Sequence, residues 1–175
     1  MRWVVALTLV LSSAMACAEG ERLIIPDHPK WKEECGSCHV AYPPQLLTAG
    51  NWQRLMGELD KHFGVNAALD PKDNQEIFNF LKDNAGSAWD GMSSESGLRV
   101  SDTTWFTRKH RRVSNKIWFD PAVKSRSNCT ACHVDAERGD WSERGIRIPM
   151  PGSKMPDKEG DKNTADKLDK EINRQ

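Results

Sequence analysis

The sequence predicts an all-α fold with long loops, arranged as two small units. Two segments carry apolar residues at helical spacing between clear start and stop signals, and no segment of any length alternates as a strand would. A Gly/Ser-rich stretch separates two copies of one cysteine–histidine pattern. The 175 residues suffice for one domain or two small ones. With 38% hydrophobic and 29% charged residues the balance is that of an ordinary soluble protein. A formal net charge of zero gives no whole-molecule attraction to nucleic acid or to a membrane surface, so neither is expected as a partner.

Residues 1–18 have the form of a secretory signal peptide: Arg2, an apolar run from Trp3 to Leu11, then Ala16-Cys17-Ala18 as a small-x-small cleavage site. The apolar run is short for a membrane span and no second candidate follows, so the mature chain is expected to begin at Glu19 without a transmembrane segment, in the periplasm. Cleavage before Cys17 with lipid attachment is the lesser alternative, because Ala14 stands where that signal favours Leu. Loss of Cys17 leaves four cysteines, all inside the repeated pattern, and none for a disulfide.

The mature chain opens with a polar lead-in from Glu19 to Lys32, expected to be extended because of Pro26 and Pro29. Pro43-Pro44 then blocks helix. A helix is predicted over Asn51–Phe63, capped by Asn51 and stopped by Gly64, with Trp52, Leu55, Met56, Leu59 and Phe63 on one face and His62 at its edge. A second runs from Pro71 to about Ala85 behind Asp70, with Ile77, Phe78 and Leu81 as its buried stripe and Gly86 as its stop. Gly86–Gly97 reads as a linker. Beyond it, Asp120-Pro121 signals a short helix from Ala122 into Cys129. From Met150 the chain is almost wholly polar, too poor in apolar surface to offset the entropy of ordering. The plan is a signal at 1–18, a first unit at 19–92, a second at 93–149 and a polar tail at 150–175.

The repeated pattern is Cys35-Gly36-Ser37-Cys38-His39 and Cys129-Thr130-Ala131-Cys132-His133. C-x-x-C-H is the attachment signature of c-type haem: two thiols three positions apart meet the two vinyl groups of one porphyrin, and the next histidine turns under the iron. The two copies lie too far apart to be the paired knuckles of a Cys₄ zinc site, and the βαβ setting of a thioredoxin-like dithiol is absent. Two covalently bound haem c groups are therefore expected, held by Cys35, Cys38, Cys129 and Cys132, with His39 and His133 as proximal ligands. Such plates would complete the otherwise thin apolar core.

A sixth ligand, His or Met, remains to be placed on each iron. His62 is chosen for the first haem because its helix must pack its apolar face on something. His110 is chosen for the second because it follows Trp105-Phe106 and sits among Arg108, Lys109, Arg111 and Arg112, which suit haem propionates or an acidic partner. The rivals are His28, in the lead-in, and Met155, with Met150 a weaker version; Met56 reads as core.

These positions resemble the bacterial dihaem cytochromes c of the small, two-domain type. The resemblance runs through Glu34 to His39, Tyr42-Pro43-Pro44 with Leu46-Leu47, and Trp52 to Gly64. It continues at Trp105-Phe106 with His110, Cys129 to His133, Gly139-Asp140-Trp141, and Ile146 to Pro149. It implies two haem domains, two histidines on each iron, with His62 and His110 at the distal positions, and electron transfer as the activity. Redox partner proteins are implied, such as an oxygen-binding monohaem cytochrome c or a membrane b-type cytochrome.

An electron carrier, not an enzyme, is the expectation, since two histidines on an iron leave no open coordination site. A small dihaem peroxidase or a gas or redox sensor would need one open iron. Charge adds a second feature. Glu19–Ser96 has 7 basic and 13 acidic residues, and Gly97–Gln175 has 17 basic and 12 acidic. This is either ordinary surface solubility or a dipole that orients the protein toward charged partners.

Overall fold

The computed structural model describes residues 23–92 and 98–150. Residues 1–18, expected to be a signal peptide, with Cys17, and also Met155 and the tail beyond Met150 lie outside the described residues, as does part of the predicted linker. Among the described residues the only regular elements are helical: α1 (Pro29–Gly36), α2 (Ala49–Gly57), α3 (Pro71–Asp83), α4 (Thr104–Lys109) and α5 (Asn115–Trp118), joined by single 3₁₀ turns and long loops. No strand forms among them; extended pairing is limited to three isolated bridges. None of the described helices is long and apolar enough to cross a membrane.

The α2–α3 pair is the frame of the molecule. Asp70 caps α3 by accepting from Lys72 N (2.9 Å), Pro71 takes the first helical position, and Ile77 and Leu81 are fully buried against α2. Burial of each such side chain contributes about 1.5–3 kcal/mol. On α2, Trp52, Leu55 and Met56 face the same core. Trp52 Nε1 donates to the carbonyl of Pro44 (2.7 Å), so the Pro43-Pro44 turn is pinned beneath the helix.

Three elements differ from the sequence expectation, each for a local reason. The lead-in is not extended to Lys32: α1 begins at Pro29, because the His28 ring nitrogen accepts from Trp31 N (3.0 Å) and proline is pre-set for the first turn. The helix expected over 51–63 starts at Ala49, where the Thr48 hydroxyl accepts from Asn51 N (3.2 Å), and ends at Gly57. Leu59–Lys61 continues as a 3₁₀ turn, so His62 lies beyond the helix, not on it. No helix runs from Ala122 to Cys129. The Asp120 carboxylate accepts from Ala122 N (2.9 Å), and Lys124 adopts a left-handed φ of 65° that ends the turn.

The predicted linker begins as packed backbone. Gly86 N donates to Leu47 O (2.9 Å), and a Cβ at Gly86 would lie 2.0 Å from the Gln45 carbonyl oxygen, so only glycine fits. Gly91 O accepts from Trp105 N (2.9 Å), and Met92 is buried. One apolar cluster accordingly runs from Trp31 through α2 and α3 to Met92, Val100, Trp105 and Phe106.

Candidate functional site

The first C-x-x-C-H unit straddles the end of α1. Cys35 and Gly36 are helical, while Cys38 and His39 project beyond it. His39 Nδ1 donates to the Val40 carbonyl (2.8 Å), which leaves Nε2 as the free lone pair. His62 is brought opposite it by a tight reversal. Phe63 is held at φ 50° and Gly64 at φ 103°, and Val65 N donates back to the His62 carbonyl (3.1 Å). A left-handed phenylalanine is a strained position, and here it re-aims the adjacent histidine. The two rings lie 6.2 Å apart, centre to centre, with their planes 24° apart.

The second unit is a 3₁₀ turn, Cys129–Ala131, followed by Cys132 and His133. It is tied down by Arg147 N donating to Cys132 O (2.8 Å) and by a bridge from His133 to Ile146. His110 ends α4 and its Nδ1 donates to Phe106 O (2.9 Å), again freeing Nε2. The rings of His110 and His133 lie 6.1 Å apart, with planes at 68°.

Both separations match the spacing that two imidazoles would have if they held one metal between them, each nitrogen about 2 Å from it and the ring centres roughly 6 Å apart. Burial and the neighbouring His39 and Arg99 push His62 below the ordinary imidazole range; burial and Arg126 do so for His110, and burial and His110 for His133. A lowered value keeps the ring neutral, as a metal ligand must be. The four described cysteines are unpaired. Burial pushes Cys35 and Cys129 up to about 11 and raises Cys132, which disfavours free thiolates at these positions.

Comparison with known proteins decides what such a pair of sites belongs to. Residues 31–141 match the family described as dihaem cytochrome c. The chain belongs to the dihaem cytochrome c family. A dihaem cytochrome c from Rhodobacter sphaeroides is 40% identical, with a TM-score of 0.58 over 67% of this chain and 100% of that one. A second structure of a Rhodobacter sphaeroides dihaem cytochrome c gives 39% identity and 0.59, over 67% and 98%. The dihaem cytochrome c of Shewanella baltica OS155 gives 36% identity and 0.60, over 71% and 95%. No curated protein matches the chain. Family membership brings two covalently bound haem c groups.

The residues present fit those groups. At the second site His133 Nδ1 is buried without a hydrogen-bond partner, unlike Nδ1 of His39 and His110. Phe63, Val65 and Val134, all beside the paired histidines, are exposed apolar side chains that a flat apolar plate would cover. A cavity beside His110 is lined by Arg111, Trp118, Phe119, Lys124 and Arg126, so cations reach the second site from two segments.

The rival ligands sit elsewhere. His28 caps α1, lies tilted against Phe80 with ring centres 4.4 Å apart, and stands 3.7 Å from Glu76. Met56 is core and Met150 is 75% exposed. Within the basic run, Arg108 donates to Asp90 O and Lys109 lies over Trp105. The cations facing the second pair are instead Arg111 and, unforeseen, Lys124 and Arg126. Sequence reading also missed Arg99, whose guanidinium sits 4.2 Å over Phe63, and the contacts of Tyr42. The Arg99–Phe63 and Tyr42–Ser127 contacts join residues far apart in sequence, where spacing carries no signal, whereas Tyr42 and His39 are three positions apart.

Proposed function

We propose that the protein is a periplasmic electron carrier that passes single electrons between redox partner proteins. On this reading Cys35 and Cys38 attach one haem and Cys129 and Cys132 the other, with His39 and His62 on the first iron and His133 and His110 on the second. The observation that carries the reading is the matched spacing of the two histidine pairs, 6.2 and 6.1 Å. When bound, each haem supplies one-electron chemistry at its iron. The chain's part is to close both coordination sites. The Val40 and Phe106 carbonyls fix the tautomers of His39 and His110, and the aromatic side chains around the second pair exclude water. With no site left open, an incoming ligand finds no place until a histidine leaves.

Charge supports the partner assignment. The basic second half and acidic first half would present different faces to different partners. An oxygen-binding monohaem cytochrome c and a membrane b-type cytochrome are the partner classes proposed, and export by residues 1–18 is proposed with them. The test is the optical spectrum of the purified protein, oxidised, reduced, and reduced with carbon monoxide. Low-spin spectra for two haems, no methionine–iron charge-transfer band and no carbon monoxide adduct are expected. A high-spin component that binds carbon monoxide would replace this reading with a peroxidase or a sensor.

A further inference from the structure

Tyr42 touches both haem-binding motifs. Its ring stacks on His39 with centres 4.7 Å apart and planes at 17°. Its hydroxyl donates to the Ser127 carbonyl at 2.6 Å, across 85 positions of sequence. The same carbonyl accepts from Cys129 N at 3.1 Å. A continuous path of contacts therefore runs from the His39 imidazole, through the Tyr42 ring and hydroxyl, to Ser127 O and on to the backbone of Cys129. Tyr42 is held at its other end by the Pro43-Pro44 turn beneath Trp52, and Pro43 and Pro44 are both fully buried. It is thus a rigid attachment of the second motif to the frame built by α2 and α3. Arg99 over Phe63 links the second half to the first histidine pair at a separate point, and the apolar cluster from Trp31 to Phe106 would keep the halves together if Tyr42 were altered.

We propose that Tyr42 is the strut that fixes the first haem-binding motif against the second, and thereby sets the electronic communication between the two haems. The inference rests on the attachment and ligand assignment above. Tyr42 is a positioning residue: it makes or breaks no bond and holds no electron. A single tyrosine that both stacks on a proximal ligand and hydrogen-bonds beside the other haem's thioether links their relative placement, where two independent halves would let it vary.

The test uses the full haem-loaded protein and its Tyr42→Phe and Tyr42→Leu variants. Haem content and spin state come first. If the parent protein carries no covalent haem at either motif, the assignment fails, and this is distinct from failure of the strut. With two low-spin haems attached, Tyr42→Phe keeps the stack and releases Ser127. Intramolecular electron exchange is expected to slow several-fold, the separation of the two midpoint potentials to change, and the unfolding equilibrium constant to rise about fivefold, the usual worth of one hydrogen bond. Tyr42→Leu loses the stack as well, and its effect on exchange should be larger. Should Tyr42→Leu fail to fold, Tyr42→Phe decides alone. Unchanged exchange and unchanged potentials in a dihaem Tyr42→Phe protein would overturn the proposal.

Discussion

The two histidine pairs share a separation and differ in nearly everything around it. The His39–His62 rings are close to parallel and His39 is exposed; Tyr42 stacks on His39, while Phe63 lies against His62 and carries Arg99 over its ring, so the pair's neighbours come from three segments. The His110–His133 rings stand at 68° and both are half-buried. Phe106 stacks on His110 at 4.0 Å, and Trp141 lies 5.6 Å from His133. Arg126 sits over both Phe106 and Trp118. The first pair is set at the edge of a well-packed helical frame, whereas the second is assembled from short turns and depends on aromatic and cationic side chains. On the proposed ligation, the same ligand chemistry stands in two electrostatic settings. A bis-imidazole ferric haem carries one more positive charge than its ferrous form. An arginine stands near each pair, Arg99 by the first and Arg126 by the second, so the difference lies in burial: the deeper burial of the second pair disfavours the ferric charge, and the second haem should be reduced at the higher potential.

The comparison breaks most visibly if a ligand is removed. His62→Ala is expected to leave the first haem five-coordinate, high-spin and open to carbon monoxide with the second unchanged; His110→Ala should do the reverse. An unchanged low-spin spectrum in either variant would refute that ligand. Next in size is the frame beneath the first pair. Leu81→Ala should cost about 2–5 kcal/mol, as for other buried leucines, read as a lowered midpoint in chemical unfolding. A loss as small as that of a surface substitution would mean the helices do not carry the first site. Smaller is the charge effect: Arg126→Gln should lower the second haem's midpoint potential by an amount on the order of tens of millivolts and leave the first almost unmoved. Equal shifts at both haems in a potentiometric titration would remove the proposed asymmetry. The smallest effect is salt dependence. Electron-transfer rates with a charged partner protein should fall as ionic strength rises, and a flat profile would discard the dipole.

Much of this molecule was legible in its sequence, where the signal was local. Asp70-Pro71 and the Ile77/Leu81 spacing placed α3 within two residues of its end, and the C-x-x-C-H units pointed to the dihaem family before any fold was known. What misled was competition between local rules. Pro29 reads as a breaker or as a helix start, and the His28 side chain decided for the start. Asp120-Pro121 reads as a helix cap, but the carboxylate closed a single turn instead. His62 was placed on a helix because apolar periodicity continued through Phe63, while the backbone had already broken at Gly57 to reverse its direction at Phe63. Gly86 and Met92 looked like linker because glycine and serine surround them; the close approach of Gln45 gives Gly86 its reason. Tyr42, Arg99 and Arg126 act over distances that no sequence pattern encodes.

The most direct test of two closed, differently oriented histidine pairs is the low-temperature electron paramagnetic resonance spectrum of the oxidised protein. The account predicts two low-spin ferric signals of unlike shape, a rhombic one from the near-parallel pair and a strongly anisotropic one from the crossed pair, with no high-spin signal. A high-spin axial signal would contradict it by showing an iron that one of these histidines does not close.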